Sequence, residues 1–139
     1  MDDLFPNLAS EGFTTTSPAS LRYNCIAWAA ARDDAWWWPD PQFVCYWPDA
    51  APREDTVDAF VAAFGTLGYT PCRDGSAEEE FEKVAIYQSR GLPTHAARQL
   101  PDGRWTSKLG RNIDIAHTLR GLDGPVYGQV AVFLKRPRV

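Results

Sequence analysis

Apolar residues recur with a helical period in the first half of the chain and with a strand period in the second half. Between residues 56 and 64 they repeat at i, i + 3, i + 4 and i + 7, which predicts an amphipathic helix; they are Val57, Phe60, Val61 and Phe64. Asn24 precedes the alanine-rich segment 25–33. Because Asn is a good N-cap and Ala the best helix former, a short helix is predicted there.

The second half of the chain predicts an antiparallel sheet. Its strand-like segments lie near residues 83–88, 94–100, 104–110 and 128–135, with a hairpin turn at Asp102-Gly103. A short helix is predicted over 113–122, a proline-rich packed loop over 35–53, and a polar arm or loop over 1–20. Helices followed by antiparallel strands are typical of an α+β fold, and the 139 residues suffice for a single domain, 1–139.

Charge and cysteine content exclude several classes of protein. Fourteen Lys and Arg against eighteen Asp and Glu give a net charge of −4, so no basic surface for nucleic acid is expected. No apolar run is long enough to span a membrane, and the acidic start, broken by Pro6, does not resemble a signal peptide, which favours a cytoplasmic protein. Three cysteines without metal-ligand spacing predict neither a disulfide framework nor a metal site, and no cofactor is expected.

The candidate chemistry lies at Cys25, the first residue of a predicted helix. Unpaired N–H groups at a helix start favour a thiolate and can stabilise an oxyanion. His95 begins a predicted strand and is followed by small residues, so the two side chains are a candidate nucleophile and general base. Ser107 follows His95 by twelve residues, across the hairpin, and is the candidate for orienting the imidazole; Asn112 and Asp114 are the alternatives.

These residues carry a resemblance to known enzymes. The order of Asn24-Cys25-Ile26-Ala27-Trp28, the strand 83–87 and His95-Ala96-Ala97-Arg98 resembles the papain-like cysteine hydrolases, especially the NlpC-type peptidases and CHAP amidases. The chain is also similar to a bacterial family that carries Tyr-Asn-Cys-Ile-Ala-Trp-Ala, Trp-Trp-Trp-Pro and Thr-Ser-Lys-Leu-Gly. The resemblance implies a papain-like core, with a Cys-bearing helix packed on an antiparallel sheet. It also implies Cys25 as nucleophile, His95 as base and Ser107 as orienting residue.

Other residues have two interpretations each. Trp36, Trp37 and Trp38 cannot all point into one core, so they are candidates for a substrate-binding wall beside Cys25, or they pack over the first helix.

Lys108 is a candidate for binding a substrate carbonyl or anion, although an ordinary two-faced strand also explains it. His117, on the predicted helix 113–122, is interpreted as a surface residue paired with Asp114. Cys45 and Cys72 are interpreted as structural.

The sequence therefore predicts a cysteine hydrolase or amide-transfer enzyme. The expected substrate is a peptide, isopeptide or side-chain amide, carried by a peptide, a protein or a peptidoglycan-like polymer. The alternative is a papain-like module without catalytic activity that binds a protein or a glycan, as an interaction or immunity-type protein does. The absence of the Asp-Cys-Ser-Gly motif of NlpC enzymes, replaced by Asn24-Cys25-Ile26-Ala27, favours this alternative.

Overall fold

The computed structural model describes residues 5–17, 22–109 and 113–138, which form one antiparallel sheet with helices on both faces. In chain order the elements are α1 (Pro6–Glu11), β1 (Phe13–Ser17), α2 (Cys25–Ala29), α3 (Val57–Gly65), β2 (Thr70–Cys72), β3 (Phe81–Ser89), β4 (Leu92–Gln99), β5 (Trp105–Lys108), β6 (Asp114–His117), α4 (Leu119–Leu122) and β7 (Gln129–Pro137). The α+β class predicted from the sequence is confirmed. Among the described residues, no helix is long and apolar enough to cross a membrane.

The sheet has seven strands in the order β1-β6-β5-β4-β3-β7-β2, and all neighbours in the described chain run antiparallel. A tight turn at Arg90-Gly91 connects β3 to β4, and both residues have positive φ, as a two-residue hairpin turn requires. Gly103, also at positive φ, lies in the predicted turn between β4 and β5. These two hairpins place β4 in the interior of the sheet.

The sheet separates two hydrophobic cores. On one face, Ile86 and Ala96 pack with residues of α2, α3 and the tryptophan-rich loop. On the other face, Ala85 and Tyr87 pack with residues of α1, α4 and the strands β5 and β6. Residues 83–87 of β3 are buried without interruption, which is the pattern of a strand covered on both sides.

The prediction of an arm or loop over residues 1–20 is wrong for the part that the structure describes. Residues 6–11 form α1 and residues 13–17 form β1, which pairs with β6 at the edge of the sheet. Phe5 and Leu8 are buried in the second core, and α1 packs against α4. Two apolar anchors in a polar segment give too weak a local pattern to predict this, because the helix depends on tertiary packing.

The predicted helix over 113–122 is correct only for its last four residues, which form α4. Residues 114–117 form β6, which pairs with β1 on one side and β5 on the other, and a helix begins only at Leu119. Ile115 is fully buried in the second core. The segment is therefore held as a strand by its pairing with two neighbours, of which β1 is remote in sequence. Strand β2, which pairs with β7, was not predicted either.

The loop over residues 35–53 is confirmed, and Asn24 connects it to α2. The Asn24 side chain caps α2 by accepting a hydrogen bond from Ala27 N at 3.1 Å. The same amide accepts from Trp37 N at 3.0 Å and donates to Trp37 O at 2.8 Å. After one turn, Ala31 adopts a positive φ and Arg32 N donates to Ala27 O, so the helix ends earlier than predicted.

We expect Asn24→Ala to lower the free energy of unfolding by about 3 kcal/mol, because it removes a cap and leaves buried backbone groups of Trp37 without partners. Thr56→Ala is the matched control. It removes the exposed cap of α3, which makes one hydrogen bond to Ala59 N, and is expected to cost about 1 kcal/mol. Urea denaturation of both variants measures the difference. Equal losses would show that Asn24 acts only as a helix cap.

Candidate functional site

Cys25 is the first residue of α2, at the point where the helix meets the sheet. The helix packs against β4 and β5, and the Cys25 side chain is 8% exposed. Its sulfur faces the backbone N–H groups of Ala96, Ile26 and Cys25 itself. Among the described residues β4 pairs with β5 only at Arg98 and Gln99, so the edge of β4 near Ala96 faces the first turn of α2.

The electrostatic surroundings keep the thiol of Cys25 protonated. Burial raises its pKa to about 11, although the three backbone N–H groups and the charge of Lys108 act in the opposite direction. A helix start alone therefore does not produce a thiolate here. In the resting protein at neutral pH, Cys25 is a neutral thiol.

His95 lies one residue before Ala96 on β4 and is fully buried. Its Nε2 is 2.9 Å from Ser107 Oγ, so the orienting contact expected across the hairpin is present. Its Nδ1 has no hydrogen-bond partner among the described residues, so Cys25 is not bonded to it. Strand alternation directs His95 toward Tyr87, on the face opposite the Ala96 side chain. Burial, with a smaller effect of His117, holds the pKa of His95 well below its usual value.

The ring of Tyr127 covers His95. The two rings stack with centroids 4.0 Å apart and planes inclined by 13°. The Thr94 hydroxyl donates to the Tyr127 carbonyl at 2.6 Å and ties this loop to β4. Next to it Gly128 has positive φ, and a Cβ there would lie 1.9 Å from Gln88 O. Only glycine allows this close approach of the loop, which fixes the Tyr127 ring over the imidazole.

A second histidine continues the polar cluster. His117 Nε2 is 2.7 Å from Ser107 Oγ, and His117 Nδ1 is 2.6 Å from Thr118 O. The interpretation of His117 as a surface residue is wrong, because β6 buries it to 1% exposure. Burial also lowers its pKa to about 4. Its spacing of two from Ile115 is the signal that could have placed it on a strand, on the same face as that buried residue.

Asp114 does not orient His95. It lies on the α2 side of the sheet, where its Oδ2 accepts a hydrogen bond from the Tyr23 hydroxyl at 2.5 Å. Asn112, the other alternative, lies outside the described residues. Of the candidates that lie in the described part of the chain, Ser107 is therefore the one that contacts the His95 imidazole.

Lys108 is buried on the same side of the sheet as Asp114. The two residues are directly opposite each other in the pairing of β5 with β6. Its Nζ lies 5.1 Å from the centre of the Tyr23 ring. Burial lowers its pKa, while Asp114 and Cys25 act in the opposite direction. Lys108 is thus a charge inside the site and not a surface group that projects toward a substrate.

The three tryptophans divide between core and partly exposed positions. Trp37 is 3% exposed in the core under α2, and Trp38 packs edge-on against Phe60 with ring centroids 5.3 Å apart. The burial of Trp37 leaves its ring no surface for a substrate, whereas Trp38 is half-buried. Trp36 is half-buried. The alternative interpretation, packing of the loop over the first helix, describes Trp37, which is bonded to the α2 cap Asn24, while the ring of Trp38 contacts α3.

Cys45 and Cys72 are free and half-buried. In the described ranges no group of three or more His, Cys, Asp or Glu side chains is arranged to hold a metal ion. The polar centre of the molecule therefore consists of Cys25, His95, Ser107 and His117. Cys25 lies on the α2 side of the sheet, together with Lys108 and Asp114, and the two histidines and Ser107 lie on the other side.

The two buried histidines make stability depend on pH. Since the folded-state pKa of each lies below the unfolded value of about 6.5, this stability is complete above pH 6.5 and is lost as the pH falls toward 4. For His117 the free energy of unfolding falls by about 1.4 kcal/mol per pH unit in that window. Between pH 7 and pH 5, we expect the free energy of unfolding to fall by about 2 kcal/mol less in His117→Gln than in the unmodified chain, as measured by urea denaturation. Parallel losses would contradict burial of a neutral His117.

A family model described as a domain of unknown function, DUF7689, matches residues 14–135. No curated protein and no solved structure matches the chain. The matched segment contains α2, the whole sheet from β3 to β6 and every residue of the polar centre. The chain therefore belongs to the DUF7689 family.

Proposed function

We propose that this protein is a papain-like cysteine hydrolase or amide-transfer enzyme that acts on a peptide, isopeptide or side-chain amide. The observation that carries the proposal is the fully buried imidazole of His95, held at Nε2 by Ser107 and without a partner at Nδ1. This nitrogen lies on the residue next to Ala96, whose N–H faces the Cys25 sulfur. A nucleophile at a helix start, a base on the adjacent strand and a polar group behind the base are the parts that acyl transfer needs.

In the proposed reaction, one proton moves from Cys25 to His95 and from there to the leaving amine. Cys25 gives its proton to His95 Nδ1 as the sulfur attacks the carbonyl carbon, and the N–H groups around the sulfur stabilise the oxyanion. The carbon–nitrogen bond then breaks, the leaving amine takes the proton from His95, and a thioester remains on Cys25. Water, or a second amine in the transfer reaction, attacks the thioester and regenerates the thiol.

Burial of the pair explains why the resting state is neutral. Cys25 and His95 are both desolvated, which disfavours a thiolate and an imidazolium. Proton transfer then accompanies attack instead of preceding it. The backbone of His95 and Ala96 pairs with β3 but not with β5, whose pairing stops at Arg98, and the His95 side chain is held by Ser107 and Tyr127. The reaction therefore requires the Cys25 thiol to reach His95 Nδ1 past this unpaired edge of β4 when a substrate enters.

The direct test is acylation by p-nitrophenyl acetate, followed by intact-mass and peptide-mass analysis. We expect an acetyl thioester on Cys25, formed at a rate that is constant between about pH 7 and pH 9, below the Cys25 pKa of about 11. His95→Ala is expected to lower this rate at pH 7 by about 100-fold or more, because it removes the general base. The remaining rate then follows the thiolate and rises about tenfold per pH unit.

Cys45→Ala is the matched control, since it removes a free thiol outside the polar centre. It is expected to leave acylation of Cys25 unchanged, whereas Cys25→Ala abolishes the site-specific product. Acetylation confined to Cys45 and Cys72, or a Cys25 rate that His95→Ala does not change, would refute the enzymatic proposal.

The burial of Cys25 favours a second candidate function. Cys25 is 8% exposed and its thiol makes no hydrogen bond to His95, as in a papain-like module that has lost catalysis and binds a protein or a glycan. The exposed apolar side chains of the loop after Trp38, which are Phe43, Val44 and Tyr46, offer such a module a contact surface. The acylation experiment separates the two functions, because only the enzyme forms a His95-dependent product.

A further inference from the structure

The hydrogen bonds of His117 determine where its proton lies. The Thr118 carbonyl, 2.6 Å from His117 Nδ1, can only accept a hydrogen bond, so Nδ1 carries the proton. A neutral imidazole has one N–H, and burial keeps the pKa of His117 near 4. His117 Nε2 therefore has a lone pair, and it faces the Ser107 hydroxyl at 2.7 Å.

The Ser107 hydroxyl determines which nitrogen of His95 carries the proton. Ser107 has a single proton, and His117 Nε2 can only accept, so the hydroxyl donates to His117. The Ser107 oxygen then accepts from His95 Nε2 at 2.9 Å, which places the His95 proton on that nitrogen. His95 Nδ1 is left as a buried lone pair without a partner among the described residues.

We propose that His117 is a positioning residue that acts through Ser107 to hold His95 in the tautomer whose Nδ1 accepts a proton. The inference rests on the proposed function, in which the lone pair of His95 Nδ1 accepts the proton of Cys25. His117 itself does not touch the reacting atoms, because Ser107 lies between it and His95. Serine alone could donate or accept, so it fixes no tautomer unless a second group fixes its own proton.

Nitrogen-15 NMR of the imidazoles tests the proposal without a substrate. The chain has two histidines, so the long-range proton–nitrogen spectrum contains two ring systems. At pH 7 we expect opposite tautomers: His95 protonated at Nε2 and His117 protonated at Nδ1. A His95 ring protonated mainly at Nδ1 in the unmodified protein would overturn the inference, whatever the variants do.

Two variants of His117 separate positioning from structural support. His117→Leu removes the acceptor, which frees the Ser107 hydroxyl to donate to His95 Nε2, and the His95 proton is expected to move to Nδ1. His117→Gln keeps an acceptor oxygen and is expected to keep the His95 tautomer. If both variants keep the original tautomer, His117 supports the fold but does not position the base. Ser107→Ala, which breaks the connection, is expected to give a mixture of the two tautomers.

The rate of Cys25 acylation completes the test. We expect His117→Leu to lower it by about 10- to 100-fold and His117→Gln to retain most of it, since a base in the wrong tautomer cannot accept the proton. Failure of the unmodified chain to acylate Cys25 would refute the proposed function, while the NMR result would still decide the role of His117. A changed tautomer with an unchanged rate would refute the link between them.

Discussion

The polar centre depends on a single proton, the one on the Ser107 hydroxyl. Ser107 lies between two buried imidazoles, with Oγ 2.9 Å from His95 and 2.7 Å from His117. One hydroxyl can satisfy both rings only if it donates to one and accepts from the other. Burial makes any other arrangement costly, because an unpaired polar group in the interior loses its hydration without compensation. The same two contacts join β4, β5 and β6 across the sheet.

The helix that carries Cys25 depends on a different side chain. Asn24 both caps α2 and binds the backbone of Trp37, so the tryptophan-rich loop and the helix start are held as one unit. A five-residue helix is too short to be stable by itself. The loop therefore stabilises the position of the thiol, and the tryptophans act on the site through packing.

Local signals in the sequence predicted the elements around Cys25 and the His95–Ser107 pair. Asn24 before an alanine-rich segment, and Asp102-Gly103 between two strands, are short-range features with a direct structural meaning. His117 was misplaced because the alternation of Ile115 and His117 extends over only four residues, too few to decide between a helix and a strand. Their pairing with β1 and β5 decides it, and that pairing depends on residues about ten and a hundred positions away. The buried neutral state of Cys25 and His95 is likewise a property of packing that a helix start does not predict.

The proposed reaction requires His95 Nδ1 to accept the proton of the Cys25 thiol. A crystal structure of the chain with a peptide aldehyde bound as a hemithioacetal on Cys25 tests it most directly, because the adduct resembles the tetrahedral intermediate. We expect His95 Nδ1 at about 3 Å from the sulfur or an oxygen of the adduct, with Nε2 still bonded to Ser107. An adduct that forms while Nδ1 stays without a partner, on the opposite face of β4, would contradict it.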